Sequence, residues 1–151
     1  MDRFMVRLSL GYPAHDDELS LLGRKQGANL LDLVKPVLAS KELEVMRGDV
    51  DRIHVDKSIL NYIVTLIGET RRSPDLLLGA SPRASLALAS ISKAMAYLQG
   101  RDYVIPKDLA PLFHDTLAHR IILRPGAENE GITAVKVLDG IIRSVPVPRI
   151  G

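Results

Sequence analysis

The chain has 151 residues, of which 46% are hydrophobic and 25% are charged, a mixture typical of a globular protein. Its 20 basic and 18 acidic side chains give a net charge of only +2, which is weak evidence for a nucleic-acid partner. The absence of cysteine excludes disulfides, thiolate metal sites and a cysteine nucleophile. No apolar run approaches the ~18 residues of a membrane span, and the N-terminus lacks the apolar core of a secretory signal, so we expect a cytoplasmic protein.

The first residues carry a strand pattern. Between Arg3 and Leu10, apolar side chains alternate with Arg7 and Ser9. A lone strand needs partners, and we find only one weak candidate, at residues 52–55. We therefore expect the chain to begin partway through a larger protein.

Apolar residues at helical spacing then predict about six helices of modest length and little strand. The predicted helices begin near His15, Ser40, Asp56, Ser81, Pro106 and Thr133, with Ser40, Asp56, Ser81 and Thr133 as the N-caps. Short extended pieces are predicted at 53–55 and 103–105. Gly48 should end the second, and the β-branched residues of the third leave a strand open as an alternative there. Pro111 should kink the fifth helix or delay its start. Residues 30–38 carry Pro36 and are predicted to be extended.

The fourth helix is the best defined. Gly79 marks a loop, Ser81 is a good N-cap whose hydroxyl can accept from the first turn, and Pro82 suits the first helical position. Gly100 should end the helix. Its predicted buried face consists of Ala84, Ala87, Leu88, Ile91, Met95 and Leu98.

Arg83 is a cation in the first turn of this helix. The dipole makes a cation there unfavourable by roughly 0.3–1 kcal/mol. A helix start is also an anion site, and a guanidinium adds five donors suited to phosphate or carboxylate. Arg83 is therefore a candidate phosphate ligand, and the alternative is a surface arginine whose stem covers apolar neighbours.

Other catalytic patterns are absent. The sequence has no Gly-x-x-x-x-Gly-Lys-Ser/Thr loop, no Gly-x-Gly-x-x-Gly and no Gly-x-Ser-x-Gly. His114 and His119 are not at the spacing of a helical zinc pair, so we predict no metal site. Asp16, Asp17 and Glu18 are consecutive and indicate a solvated helix start rather than a carboxylate dyad.

Four stretches, in register over nearly the whole chain, resemble the MoxR-type AAA+ ATPases. Leu78-Gly-Ala-Ser-Pro-Arg83 resembles the family's second-sensor motif, and Asp2-Arg-Phe4 with Gly11-Tyr-Pro13 resembles the end of its ATPase core. Gly100-Arg-Asp-Tyr-Val104 with His119-Arg120 resembles the segment after the sensor, and Val145-Pro-Val-Pro-Arg149 resembles the C-terminal signature.

The resemblance implies a mainly α fold, a small helical bundle that forms the AAA+ lid, with a leftover strand of the core. Residues 1–13 would be the end of the core, 14–145 the lid and 146–151 an extended tail. Arg83, with Ser81 and Pro82, would be the second sensor that reaches the γ-phosphate of ATP. Arg3 would be an arginine finger, or otherwise a surface arginine at a strand end.

The resemblance also implies partners and limits. The partners would be the missing core, neighbouring subunits of a ring, typically a hexamer, and von Willebrand factor A-type proteins, and the work would be chaperone-like remodelling of protein clients. The phosphate loop and the acidic magnesium motif are not in this chain, so ATP and Mg²⁺ are expected only in the full-length protein. Ile105, where the family commonly has a threonine or serine cap, and Pro111 depart from the family pattern.

Two other functions compete with this one. A stand-alone nucleic-acid binder would use a basic face formed by Arg71, Arg72, Arg83, Lys93 and Arg101. The near-neutral charge and the 4% aromatic content argue against it. A helical interaction domain with no nucleotide role is the third reading, and it predicts that Arg83 is dispensable.

Overall fold

The computed structural model describes residues 3–24 and 34–149. Over these residues the fold is mainly α, as predicted. The helices are α1 His15–Arg24, α2 Ser40–Arg52, α3 Lys57–Arg72, α4 Pro82–Leu98, α5 Pro106–Leu117 and α6 Ala134–Ser144, and the strands are β1 Leu76–Leu78 and β2 Ile122–Leu123. A short 3-10 helix at Ala127–Glu130 lies in the loop before α6. The first part of the predicted extended segment 30–38 lies outside the described residues, and 34–38 belong to no helix or strand.

The chain divides into two compact units. Leu8–Arg47 forms the smaller unit, and the residues on either side of it form the larger unit. In this smaller unit, none of the residues 8–23 and 34–47 is buried. The larger unit contains all of the candidate site residues, which are Arg3, Ser81, Pro82 and Arg83.

The larger unit is built around an aliphatic core. Helices α3, α4, α5 and α6 pack together, with α4 against both α3 and α5 and with α6 against both α3 and α5. Each helix contributes fully buried side chains, including Ile59, Leu66, Leu88, Phe113 and Leu138. The predicted buried face of α4 is correct for Ala84, Ala87 and Leu88 but wrong for Leu98, which is 72% exposed.

The predicted N-terminal strand is not formed. The described residues from Arg3 to Leu10 adopt a turn, a bend and irregular structure rather than a β-strand. Their apolar side chains are largely exposed, and the backbone N–H of Arg7 donates to the carbonyl of Asp115 at 2.8 Å instead of to a neighbouring strand. A strand at this position has no ladder partner within the described residues, because the candidate partner at 52–55 pairs elsewhere.

That partner is Tyr103. His54 and Tyr103 form an isolated parallel bridge, in which His54 N donates to Asp102 O at 2.8 Å and Val104 N donates to His54 O at 3.0 Å. Both segments were predicted to be extended, but their pairing was not. The antiparallel pair of β1 and β2 was also missed, since neither strand is long enough to show a period.

The helix boundaries follow the predicted caps in most places. Asp56 accepts from the Ser58 hydroxyl and from Ser58 N at 2.7 Å, and these two bonds lower the pKa of Asp56. Thr133 accepts from Lys136 N at 3.2 Å. The prediction that α2 ends at Gly48 is wrong, because the helix continues to Arg52. A single glycine costs only about 1 kcal/mol in a helix, which neighbouring residues can offset.

The fifth helix starts at Pro106 and continues through Pro111. Ile105 holds the N-cap position but has no polar side chain with which to cap the helix. The carboxylate of Asp108 makes the reciprocal contact instead, since its Oδ2 accepts from the N–H of the cap residue, Ile105, at 2.9 Å. The expected delay of the helix start is therefore wrong.

Candidate functional site

Arg83 is an exposed residue in the first turn of α4. Pro82 holds the first helical position and Ser81 the N-cap, with extended backbone angles φ −77° and ψ 166°. The helix start is formed by Ala84 N, which donates to Ser81 O at 2.9 Å, and the Ser81 hydroxyl does not make the predicted capping bond. The first turn of α4, described in full, holds no acidic residue. An anion therefore meets two attractions there, the helix dipole and a guanidinium.

The loop that leads into α4, Gly79–Ser81, is fastened to the end of α3; we call it the pre-helix loop. The backbone N–H of Ala80 donates to Thr70 Oγ1 at 2.9 Å, and the carbonyl of Ala80 accepts from Arg71 Nε at 2.8 Å. Ala80 is 1% exposed and Thr70 fully buried. The N–H and the carbonyl of Ala80 are thus both bonded to adjacent residues of α3, and these bonds fix where α4 begins.

Gly79 is required by the closeness of this contact. A Cβ built on Gly79 would lie 2.6 Å from the Thr70 carbonyl oxygen and 2.6 Å from Arg71 Cα. Both are backbone atoms, so they cannot turn aside as a flexible side chain can. The absence of a side chain at residue 79 therefore lets the pre-helix loop reach α3.

A Gly79→Ala substitution is expected to destabilise the larger unit by about 1–3 kcal/mol, because the methyl group forces the loop away from α3. Urea unfolding measures the loss. Gly68→Ala is the matched control, because a Cβ at Gly68, inside α3, would meet no described atom within 4 Å. Alanine should stabilise α3 there by about 0.5–1 kcal/mol. Equal losses in the two variants would contradict this account of Gly79.

Arg3 lies on a different element, in the N-terminal segment that is attached to the end of α5. The carbonyl of Phe4 accepts from Arg120 Nη2 at 2.6 Å, and His119 Nε2 lies 3.0 Å from the same oxygen. Arg120 is only 7% exposed, whereas Arg3 is exposed. The structure thus places Arg3 in the N-terminal segment, which is attached to the end of α5, and Arg83 at the start of α4.

Three positioning contacts were not predicted from the sequence. Thr70, Asp108 and Arg120 are buried polar residues whose partners are distant in the sequence or belong to the backbone. Only Asp108 carried a local signal, because an acid at the third residue of a helix can reach back to the N-cap N–H. The other two depend on tertiary packing.

The alternative basic face is largely occupied by contacts within the chain. Arg71 donates to Ala80 O, Arg72 to Glu69 at 2.7 Å, Lys93 to Asp51 O at 2.8 Å, and Arg101 to Asp108 at 2.9 Å and 2.5 Å. Arg71, Arg72, Lys93 and Arg101 thus already bind acceptors of this protein, which leaves little support for a phosphate-binding face.

Two other features of the described residues involve neither Arg83 nor Arg3. A surface cavity of 440 Å³ is lined by Asp49, Arg52, Tyr97 and Arg101, charges of both signs, and by neither Arg83 nor Arg3. His114 Nε2 lies 3.1 Å from Asp139 Oδ1, and no three metal-ligating side chains gather among residues 3–24 and 34–149. No helix within those residues has both the length and the hydropathy needed to cross a bilayer.

Comparison with known proteins identifies relatives of this structure. Residues 68–141 match the AAA lid domain. The chain is 38% identical to the uncharacterized protein YeaC of Bacillus subtilis over 148 residues, and 28% identical to chaperone MoxR1 of Mycobacterium tuberculosis over 158 residues. These matches cover 98% and 99% of this chain but only 46% and 41% of the relatives, so the chain spans about half the length of the curated relatives it matches.

A solved structure has the same fold. The crystal structure of a candidate ATPase from Cytophaga hutchinsonii superposes with a TM-score of 0.86 at 32% sequence identity. The match covers 98% of this chain and 48% of that one.

Proposed function

The chain belongs to the MoxR family of AAA+ ATPases and carries its helical lid, and from this premise we propose that the lid senses ATP through Arg83. In the proposed mechanism, Arg83 contacts the terminal phosphate of ATP bound to the core, and this contact draws the lid toward the core. Loss of that phosphate on hydrolysis would release the lid. The cycle would drive chaperone-like remodelling of a protein client.

The observation that carries the proposal is the exposed guanidinium of Arg83 in the first turn of α4. It lies in a helical turn that itself holds no acidic residue, on a helix whose start is held by α3. Guanidinium and phosphate form charge-assisted, bidentate hydrogen bonds, so the residues present fit the anionic end of a nucleotide. Ser81 and Pro82 would set the direction of this turn without binding the phosphate themselves.

Hydrolysis itself is assigned to the rest of the protein. This chain has no phosphate loop, and its described residues form no cluster of acids that could hold Mg²⁺. When both are bound to the core, ATP supplies the phosphoryl group and Mg²⁺ neutralises the charge of that group. In the proposal, residues of the lid orient and sense the terminal phosphate of ATP, and the core binds the nucleotide and cleaves it.

The remaining parts of the proposal concern assembly. AAA+ ATPases usually form rings, and we propose a hexamer in which Arg3 reaches the nucleotide of the neighbouring subunit. One relative is named a chaperone, which supports a client-remodelling role. We propose that this role is carried out in the cytoplasm. Proteins with von Willebrand factor A domains are proposed as partners. The domain limits at residues 13 and 145 stay predictions.

The test is the ATP turnover of the full-length protein with Arg83→Ala. A lost charge-assisted contact is worth about 1.5–3 kcal/mol, so turnover should fall by roughly 10–100-fold while the ring still assembles. Arg143→Ala is the matched control, because Arg143 is an exposed arginine near the end of α6. It should leave turnover unchanged.

Unchanged turnover and nucleotide affinity in Arg83→Ala would overturn the sensor assignment. The chain would then be a helical interaction domain whose likeness to the family is architectural. An equal fall in Arg83→Ala and Arg143→Ala would also contradict the proposal, because it would trace the effect to general surface charge.

A further inference from the structure

Thr70 is a buried hydroxyl with both of its hydrogen-bonding functions in use. It donates to the carbonyl of Ile67, in its own helix, at 2.6 Å and accepts from the N–H of Ala80 at 2.9 Å. The second bond joins residues ten apart in sequence and links α3 to the pre-helix loop. Local helix formation explains the first bond but not the second.

The neighbouring residue, Arg71, acts on the same peptide residue from the surface. Its Nε donates to the carbonyl of Ala80 at 2.8 Å. Ala80 therefore has its N–H held by Thr70 and its carbonyl held by Arg71. With Gly79 packed directly against the backbone of α3, Ala80 cannot translate or rotate without breaking one of these contacts.

Little freedom remains between Ala80 and Arg83. Ser81 is extended at the N-cap, and the ring of Pro82 fixes its own φ angle near −65°. From Arg83 onward the backbone is helical. The position of the Arg83 backbone thus follows from the position of Ala80, which Thr70 and Arg71 determine.

We infer that Thr70, assisted by Arg71, is a positioning residue for the nucleotide sensor. It would touch neither ATP nor Mg²⁺; it would hold the start of α4 so that the Arg83 side chain extends from a fixed point. This inference rests on the proposed function of Arg83. It adds that α3, which carries no sensor residue, determines how well the sensor works.

The test uses Thr70→Val in the full-length protein, which keeps the side-chain shape but removes the hydroxyl. Deuterium uptake in a peptide containing Ala80 should accelerate by about 10-fold, because a buried N–H loses its acceptor. ATP turnover should fall by about 10-fold, short of the largest loss expected for Arg83→Ala. Thr70→Ser, which restores the hydroxyl, should recover most of both.

Two further variants separate positioning from general destabilisation. Thr65→Val removes a hydroxyl from the same helix, but that hydroxyl donates at 2.9 Å only to Asn61 O, so turnover should not change. In the double variant Thr70→Val with Arg83→Ala, turnover should equal that of Arg83→Ala alone, because no sensor is left to position. Arg71→Met, at an exposed residue, tests the second contact if Thr70→Val does not fold.

Each outcome decides between the two proposals. If Arg83→Ala lowers turnover while Thr70→Val and Arg71→Met do not, the positioning role is wrong and the sensor stands. If Thr70→Val lowers turnover equally with and without Arg83, its effect does not pass through the sensor, and the inference is overturned. If Arg83→Ala itself has no effect, the proposed function fails, whatever the deuterium uptake at Ala80.

Discussion

Replacing Asp108 with alanine is expected to lower the free energy of unfolding of the larger unit by about 3 kcal/mol. The Asp108 carboxylate is 4% exposed and binds the guanidinium of Arg101 through two bonds, at 2.9 Å and 2.5 Å, and these bonds raise the pKa of Arg101. It also accepts from Ile105 N, so its removal takes the carboxylate partner from a half-buried cation, which still donates to the carbonyl of Tyr103 at 2.8 Å, and the acceptor from an N–H at the start of α5. Urea unfolding of Asp108→Ala measures the loss.

A second ion pair in the same unit provides the control. Arg124 binds Glu130 with the same two-bond geometry, at 3.0 Å and 2.5 Å, but the Glu130 side chain is 54% exposed. Water can replace the lost partner there, so Glu130→Ala should have a much smaller effect than Asp108→Ala. Similar losses in the two variants would mean that burial does not decide the strength of these pairs.

Phe113→Ala is expected to cost about 3–5 kcal/mol, because it opens a cavity at the centre of the larger unit. Phe113 is a fully buried core residue of α5, the helix that packs against both α4 and α6. The shift of the urea midpoint at constant m-value gives the loss. A conservative Phe113→Leu variant should lose markedly less, since most of the buried volume remains.

Leu98→Ala is the informative control, since the sequence pattern assigned Leu98 to the core. It is 72% exposed in the structure, so truncation should change stability by less than about 0.5 kcal/mol. A loss in Leu98→Ala comparable to that in Phe113→Ala would show that the end of α4 is buried after all.

The contrast between Phe113 and Leu98 shows how far the sequence predicts this fold. Helical spacing identified the buried face of α4 near its start but could not show where its neighbours end. Asp56 and Thr133 were predicted correctly as caps, because a cap acts on residues next to it. Gly48 was interpreted as an end because glycine weakens helices, but the surrounding residues continue α2.

Pairing between distant segments was not predictable in the same way. The alternation from Arg3 to Leu10 indicated a strand, but a strand needs a partner, and the pattern cannot supply one. The bridge between His54 and Tyr103 and the pair β1–β2 involve too few residues to show a period.

The residues of the candidate site also differ in whether the sequence could predict them. Arg83 could be found because it breaks a local rule, a cation at the positive end of a helix. Thr70 could not, since nothing around it in sequence distinguishes it from Thr65 on the same helix. Only the folded chain brings its hydroxyl to Ala80.

The bond from Arg120 to the carbonyl of Phe4 has a consequence for folding during synthesis. It joins residues 116 apart, so at ribosomal rates of ~5–20 residues per second Phe4 emerges roughly 6–23 s before its partner. Helices α3, α4 and α5 have all been synthesised by then, and local helix formation takes only microseconds. We therefore expect the segment before Leu8, although made before the rest of the larger unit, to acquire this contact only after most of that unit has been synthesised.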